Sequence, residues 1–160
     1  VITILDRLNP KKIVVVSSAP LIKYPDCYGI DMAKIGDFIA FQAAIEILKE
    51  KKLENIIEET YNLCKKQQFL PKESITNYVS NIYKHISEEE ICKKIAQLIK
   101  PDYIKAEIEV VFQSVENLHI ACPENTGDWY FTGDYPTDGG NRVVNRAFMN
   151  FYEGKDARAY

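Results

Sequence analysis

Four consecutive β-branched residues, Ile13-Val14-Val15-Val16, dominate the folding options of this chain. The block does not alternate apolar with polar, so it predicts a strand buried on both faces, as in a parallel sheet with helices covering it. Residues 1–9 read as the end of a helix that stops before Pro10. Helix, tight turn and buried strand in succession are half of a βαβ unit, so the expected class is α/β. Ser17-Ser18-Ala19-Pro20 then falls at the carboxyl end of the strand, the edge where open α/β sheets bind ligands. Taken alone, such a strand leaves at least one edge unpaired.

Downstream the periodicity changes. Residues 21–34 read as a loop with Pro25 and Gly29, anchored by Tyr24, Tyr28 and Asp31. Four helical stretches are then expected. Phe38, Phe41, Ile45 and Leu48 form the apolar stripe of the first, and Leu53, Ile56, Ile57, Thr60 and Cys64 that of the second. Ile75, Tyr78, Val79, Ile82, Tyr83 and Ile86 give the cleanest helical spacing in the chain. Ser87 and Glu90 stand in capping-box positions at the head of the fourth, which ends at Lys100-Pro101. Ile108, Val110 and Phe112 predict a strand with one wetter face, followed by a short helix over residues 114–121. Beyond Pro123 the chain gains Gly127, Gly133, Gly139, Gly140 and Gly154, with Arg142, Arg146 and Arg158 and the single Trp129. That composition predicts a loop-rich stretch lying over an existing surface, with one amphipathic helix over residues 141–152 that turns Val144, Phe148 and Phe151 inward.

Composition narrows the function classes. Lys and Arg number 20 against 23 Asp and Glu, a formal charge of −3, which argues against a dedicated nucleic-acid binder. With 46% hydrophobic residues the chain suits an ordinary globular domain. The longest apolar run, residues 13–16, is far short of the ~20 residues a membrane span needs. No basic start with an apolar core reads as a signal peptide, so a cytoplasmic setting with no membrane partner is expected. Cys27, Cys64, Cys92 and Cys122 are too scattered for a C-x-x-C pair and read as reduced, mostly buried thiols. His85 and His119 read as structural. Glu88-Glu89-Glu90 suits the positive end of a helix. Asp128, Asp134 and Asp138 lack the spacing of a calcium loop. These residues by themselves identify no active site.

Two strings carry a resemblance. Residues 13–32, from Ile-Val-Val-Val-Ser-Ser-Ala-Pro to Tyr28-Gly29-Ile30-Asp31-Met32, resemble the S-A-A-P-x-x-R-x-P-x-x-Y-G-I-D-M segment of amidophosphoribosyltransferases, with Phe38-Ile39-Ala40 where the family has L-I-A. Phe131-Thr132-Gly133-Asp134-Tyr135-Pro136-Thr137 is similar to the F-T-G-x-Y-P-T of the subfamily that carries an iron–sulfur cluster. The likeness covers residues 1–41 and 87–137. Residues 42–86 look like a helical insertion, and residues 123–160 like a carboxyl-terminal extension.

The resemblance implies a purine-biosynthesis enzyme built on a type I phosphoribosyltransferase domain. Ammonia released from glutamine would displace pyrophosphate from phosphoribosyl pyrophosphate, giving 5-phosphoribosylamine with Mg²⁺ neutralising the leaving group. It implies a homo-oligomer. It also implies that Ser17 and Ser18, with Ala19 and Pro20, shape the floor of the phosphoribosyl site, that Tyr28, Gly29 and Asp31 stand near the hood over it, and that Phe38 lines the ammonia path. The glutaminase cysteine and the V-D-D-S-I-V-R-G-T-T ribose-phosphate loop are not in this sequence. The chain therefore reads as the carboxyl-terminal part of the enzyme, inactive alone, with the Mg²⁺ ligands and the catalytic residues elsewhere. Cluster-bearing relatives have N-C-G-x-C-x-x-C-F-T-G where this chain has Asn125-Thr126-Gly127-Asp128-Trp129-Tyr130-Phe131-Thr132-Gly133. The upstream ligand follows a proline in relatives, whereas Asp26 follows Pro25 here and Cys27 comes one position late. No iron–sulfur cluster is expected. A non-catalytic helical interaction or regulatory module is the alternative, and a phosphoribosyltransferase for a free base is a third.

Overall fold

The computed structural model describes residues 1–28, 32–124 and 127–159. It is a mixed α/β structure with a two-stranded parallel sheet and flanking helices. Helix α1 (Ile2–Asp6) leads into strand β1 (Lys12–Ser17), which pairs in parallel with β2 (Glu107–Phe112). The register sets Ile13 beside Ile108 and Val15 beside Val110. Between the strands run helices α2 (Ile39–Glu50), α3 (Glu54–Lys66) and α4 (Glu88–Ile99). After β2 come α5 (Val115–Ala121), α6 (Trp129–Thr132) and α7 (Asp138–Tyr152). Helix α4 packs against both β2 and α2, while α7 packs against α3.

The first strand departs from expectation. Ile13 is 6% exposed, but Val15 on the same face is 38% exposed and Val14 and Val16 on the other are 49% and 70%, so cover reaches one face of the pair at Ile13, Ile108 and Val110 and leaves the other bare. Residue hydropathy cannot tell a strand covered twice from one whose second layer is missing. β2 behaves as its alternation predicts, burying Ile108 and Val110 and exposing Glu107.

The second departure lies at residues 75–86. Ile75, Val79, Ile82, Tyr83 and Ile86 are buried as the spacing demands and Tyr78 is half-buried, yet the segment is an extended stretch and a 3₁₀ turn (Tyr78–Ile82), with no α-helix. The cause is a set of side-chain amides that take the backbone's hydrogen bonds. Gln67 accepts from Thr76 N at 2.9 Å and donates to Thr76 O at 3.2 Å. Asn145 donates to the same oxygen at 2.9 Å and accepts from Tyr78 N at 3.3 Å, and Asn141 donates to Ile75 O at 2.8 Å. A backbone satisfied from outside has no need of its own helical ladder.

The extension beyond Pro123 is also more than a cover. Val144, Ala147 and Phe148 on α7 belong to the same apolar cluster as Ile13, Phe41 and Ile95, so α7 completes the core. Phe151, expected inward, is 38% exposed although its ring meets Phe41 edge-on at 4.8 Å. Among the thiols only Cys64 is buried; Cys27 and Cys92 are half-buried and Cys122 is exposed, which corrects the expectation of mostly buried cysteines.

Helix α4 starts as its sequence says. Ser87 Oγ accepts from Glu90 N at 3.2 Å, and the Glu90 carboxylate accepts from Ser87 N at 2.9 Å, a cap worth ~1 kcal/mol. Lys51, 2.6 Å from Glu90, and this cap together hold the Glu90 carboxyl down at about 2. A depressed acid stabilises the fold above its ordinary pKa of 4.5 and stops doing so as pH falls toward 2. Glu90→Gln is therefore expected to lower the melting temperature at pH 7 and to match the parent near pH 2. Equal losses at both pH values would show that the charge is irrelevant.

Candidate functional site

The carboxyl ends of β1 and β2 are tied together by Gln113 N donating to Ser17 O at 3.1 Å. The Ser17 hydroxyl turns back on the chain, donating to Ala19 O at 2.9 Å and accepting from Ala19 N at 3.2 Å. This local turn directs residues 19–22 across the strand ends. A cavity of about 220 Å³ opens there, lined by Ser17, Pro20, Leu21, Phe38, Ile39 and Phe112. Phe38 takes its place because it is the extended residue at which α2 begins, with its carbonyl accepting from Gln42 N at 2.9 Å. Its walls are apolar except for the Ser17 turn. The cavity suits a small uncharged species and disfavours an ion, which would lose its hydration without gaining a partner.

Beside this cavity, residues 23–27 are bound to residues 130–135. Tyr130 O accepts from Lys23 N at 2.8 Å and from Tyr24 N at 3.1 Å. The Tyr135 hydroxyl donates to Pro25 O at 2.8 Å, and the Tyr130 hydroxyl donates to Asp26 Oδ1 at 3.0 Å. Asp26 is 5% exposed and also donates its N–H to Met32 O at 3.1 Å. The Tyr83 hydroxyl donates to Lys23 O at 2.9 Å, and its ring meets Tyr24 edge-on at 5.6 Å. Burial raises the Tyr24, Tyr83 and Tyr135 phenols well above their ordinary range, so all three remain neutral. Burial, and after it the Asp26 carboxylate, also raises the Cys27 thiol and disfavours the thiolate.

Gly133 closes this junction. It has a φ of +81°, and a Cβ there would stand 2.6 Å from Asn77 Nδ2 and 2.9 Å from Tyr24 Cζ. The left-handed backbone and the close approach both require glycine. Asn77 Nδ2 donates to Gly133 O at 3.2 Å, so the 3₁₀ segment is fastened to the same point.

The structure brings Ser17 and Phe38 to one cavity. Ser18 is exposed and does not line it. Tyr28 is 60% exposed and packs edge-on against Trp129 at 5.8 Å, apart from the cavity. Gly29 and Asp31 lie outside the described residues, as does Thr126. His119 faces Asp128 at 3.0 Å, and Thr132 Oγ1 lies 3.2 Å from Asp128 O and 3.3 Å from Asp128 Oδ1, a brace between α5 and α6. His85 is exposed in a turn and offers its carbonyl to Lys51 Nζ at 3.1 Å.

Sequence reasoning missed Asn145, Asn77 and Tyr130. For Asn145 a signal existed: a polar residue next to Val144 on the inward face of an amphipathic helix has to find partners. The resemblance places cluster ligands at Asp26, Thr126 and Trp129; Thr126 lies outside the described residues, and the groups at the other two positions do not fit a cluster. A carboxylate bound by a phenol and an indole stand where relatives have thiolates. Among the described residues no group of three or more His, Cys, Asp or Glu side chains is placed to hold a metal ion.

Comparison of the chain with family models, curated proteins and solved structures returned no match. The site's geometry therefore stands on its own. No helix among the described residues is long and apolar enough to cross a membrane.

Proposed function

We propose that the chain is the carboxyl-terminal part of an amidophosphoribosyltransferase, contributing the floor of a phosphoribosyl site and a lining for the passage of ammonia. The observation that carries this reading is the meeting of the two motif segments. Residues 23–27 and 130–135 are far apart in sequence, yet four hydrogen bonds join them beside the ligand-facing edge of a parallel strand pair. Segments that serve one site have a reason to converge there.

Two further features support it. The cavity lined by Phe38 is apolar, as suits neutral ammonia, which must reach its acceptor before it meets water and protonates. The bare outer face of β1, with Val14 and Val16, suits a sheet that continues with further strands and helices. Ser17, Ser18, Tyr28, Gly29 and Asp31 would lie toward phosphoribosyl pyrophosphate in that assembly. Mg²⁺ would neutralise the departing pyrophosphate, held by residues that this sequence does not contain. No iron–sulfur cluster takes part.

The test is enzymatic. A chain extended upstream, supplied with glutamine, phosphoribosyl pyrophosphate and Mg²⁺, is expected to form 5-phosphoribosylamine and pyrophosphate. The 160-residue chain alone is expected to form neither. Lack of both products from the whole gene product would end the proposal and favour the non-catalytic module. Turnover of a free purine or pyrimidine base with no glutamine requirement would favour the simple phosphoribosyltransferase.

A further inference from the structure

A second cavity, of about 490 Å³, lies between α3 and α7 and shares no lining residue with the one at the strand ends. Its volume is in the range of small-molecule sites. Lys65, Arg142, Arg146 and Lys155 line it together with one carboxylate, Glu153. A chain whose formal charge is −3 has thus gathered four cations around a single concave surface.

The arrangement is organised. Glu153 sits 2.8 Å from Lys65 and 2.5 Å from Lys155, and the two lysines, with the Tyr61 hydroxyl, hold its carboxyl down at about 2. Glu153 therefore positions two ammonium groups but neutralises only one. Arg142 is steadied by donating to Leu70 O at 2.9 Å, a bond to a neutral carbonyl that leaves its charge uncompensated. Arg146 stands one turn further along the same helix and has no hydrogen-bond or ion-pair partner among the described residues. Like charges at this spacing are unfavourable in a helix unless something negative bridges them. The floor is rigid, since Gln67 and Asn145 are both buried and both spent on the backbone of residues 76–78.

We propose that this cavity binds a small polyanion carrying two or more phosphate groups, bridged by Arg142 and Arg146 and flanked by Lys65 and Lys155. Guanidinium forks match phosphate oxygens in pairs, and ammonium groups add charge at the rim. Phe69, 90% exposed at the mouth, offers an apolar face to any organic group attached to the phosphates. This site is independent of the proposed catalytic role.

The probe is sodium tripolyphosphate, titrated calorimetrically into the chain at low salt, with inorganic phosphate as comparator. One saturable site is expected, at least tenfold tighter for tripolyphosphate and weakened by added salt. Arg146→Gln removes a side chain with no protein partner, so it is expected to weaken binding at least fivefold at an unchanged melting temperature. Arg142→Gln together with Arg146→Gln is expected to abolish it. Lys84→Gln, at a residue that does not line the cavity, is expected to change nothing. Adenosine triphosphate is the second arm. Equal affinity assigns a free phosphate chain, and tighter binding that Phe69→Ala removes assigns a phosphate ester. No saturable binding, full affinity in Arg146→Gln, or equal weakening by Lys84→Gln would overturn the proposal.

Discussion

Phe148→Ala is expected to destabilise the chain by about 3–5 kcal/mol, the cost of emptying a large aromatic site in a close-packed core. Phe148 is fully buried, and its ring meets Phe41 edge-on at 6.1 Å. It joins α7 to α2, so the cavity would open where the carboxyl-terminal helix meets the helices between the two strands. At this chain length the loss corresponds to a fall of roughly 6–20 °C in melting temperature. Since whole domains hold only about 5–15 kcal/mol, the variant would sit near the limit of stability. Phe148→Leu, which retains most of the volume, is expected to lose far less. Thermal melts of the two variants decide the matter. A fall of only a degree or two for alanine would mean that α7 lies on the protein without completing its core.

Gly140→Ala is expected to be nearly as damaging, for the opposite reason. A Cβ at residue 140 would stand 2.3 Å from Tyr135 Cβ and 2.2 Å from Tyr135 Cγ. Those atoms lie next to the backbone, so rotating the side chain cannot relieve the clash. Either α7 shifts or the Tyr135 ring leaves its place, and with it goes the hydrogen bond from its hydroxyl to Pro25 O. Overpacking of this kind costs about 1–3 kcal/mol, and the lost hydrogen bond adds ~1 kcal/mol. Gly139→Ala is the internal control. A Cβ there meets nothing within 4 Å, and an alanine inside a helix stabilises by up to ~1 kcal/mol. The two neighbouring substitutions should therefore move the melting temperature in opposite directions. If both lowered it alike, the effect would belong to the helix start and the Tyr135 contact would carry no weight. Release of Tyr135 should also loosen the junction of residues 23–27 with 130–135, which faster amide exchange at Lys23 and Tyr24 would report.

These expectations bear on how much of the site was legible. Phe38 stands out through its place in a string, and it reaches the apolar cavity because a helix begins there. Ser17 stands out through its position after a β-branched run, and the parallel pair puts it at the strand end. Nothing local marks Tyr130, because its role consists of bonds to residues more than a hundred positions away, and the polar signal at Asn145 does not name its partner sixty-nine positions away. The basic cavity was equally hidden. Lys65 closes one helix and Arg142, Arg146 and Lys155 lie on or after another, and only the packing of α3 on α7 makes them neighbours.

The sequence alone determined what depends on near neighbours. The capping box of Ser87 and Glu90 forms where it is written, because its partners are three residues apart. The Ser114 cap of α5 follows for the same reason, with Asn117 N donating to Ser114 Oγ at 3.1 Å. Tertiary structure decided the rest. It turned the best helical pattern in the chain, residues 75–86, into a 3₁₀ turn, since Gln67, Asn141 and Asn145 supply hydrogen bonds that helix formation would otherwise provide. It left Val14 and Val16 bare, since burial of a strand face is set by the layer above it and not by the strand's own residues. Periodicity specifies which side chains must leave water. Only the assembled core specifies which backbone will carry them there.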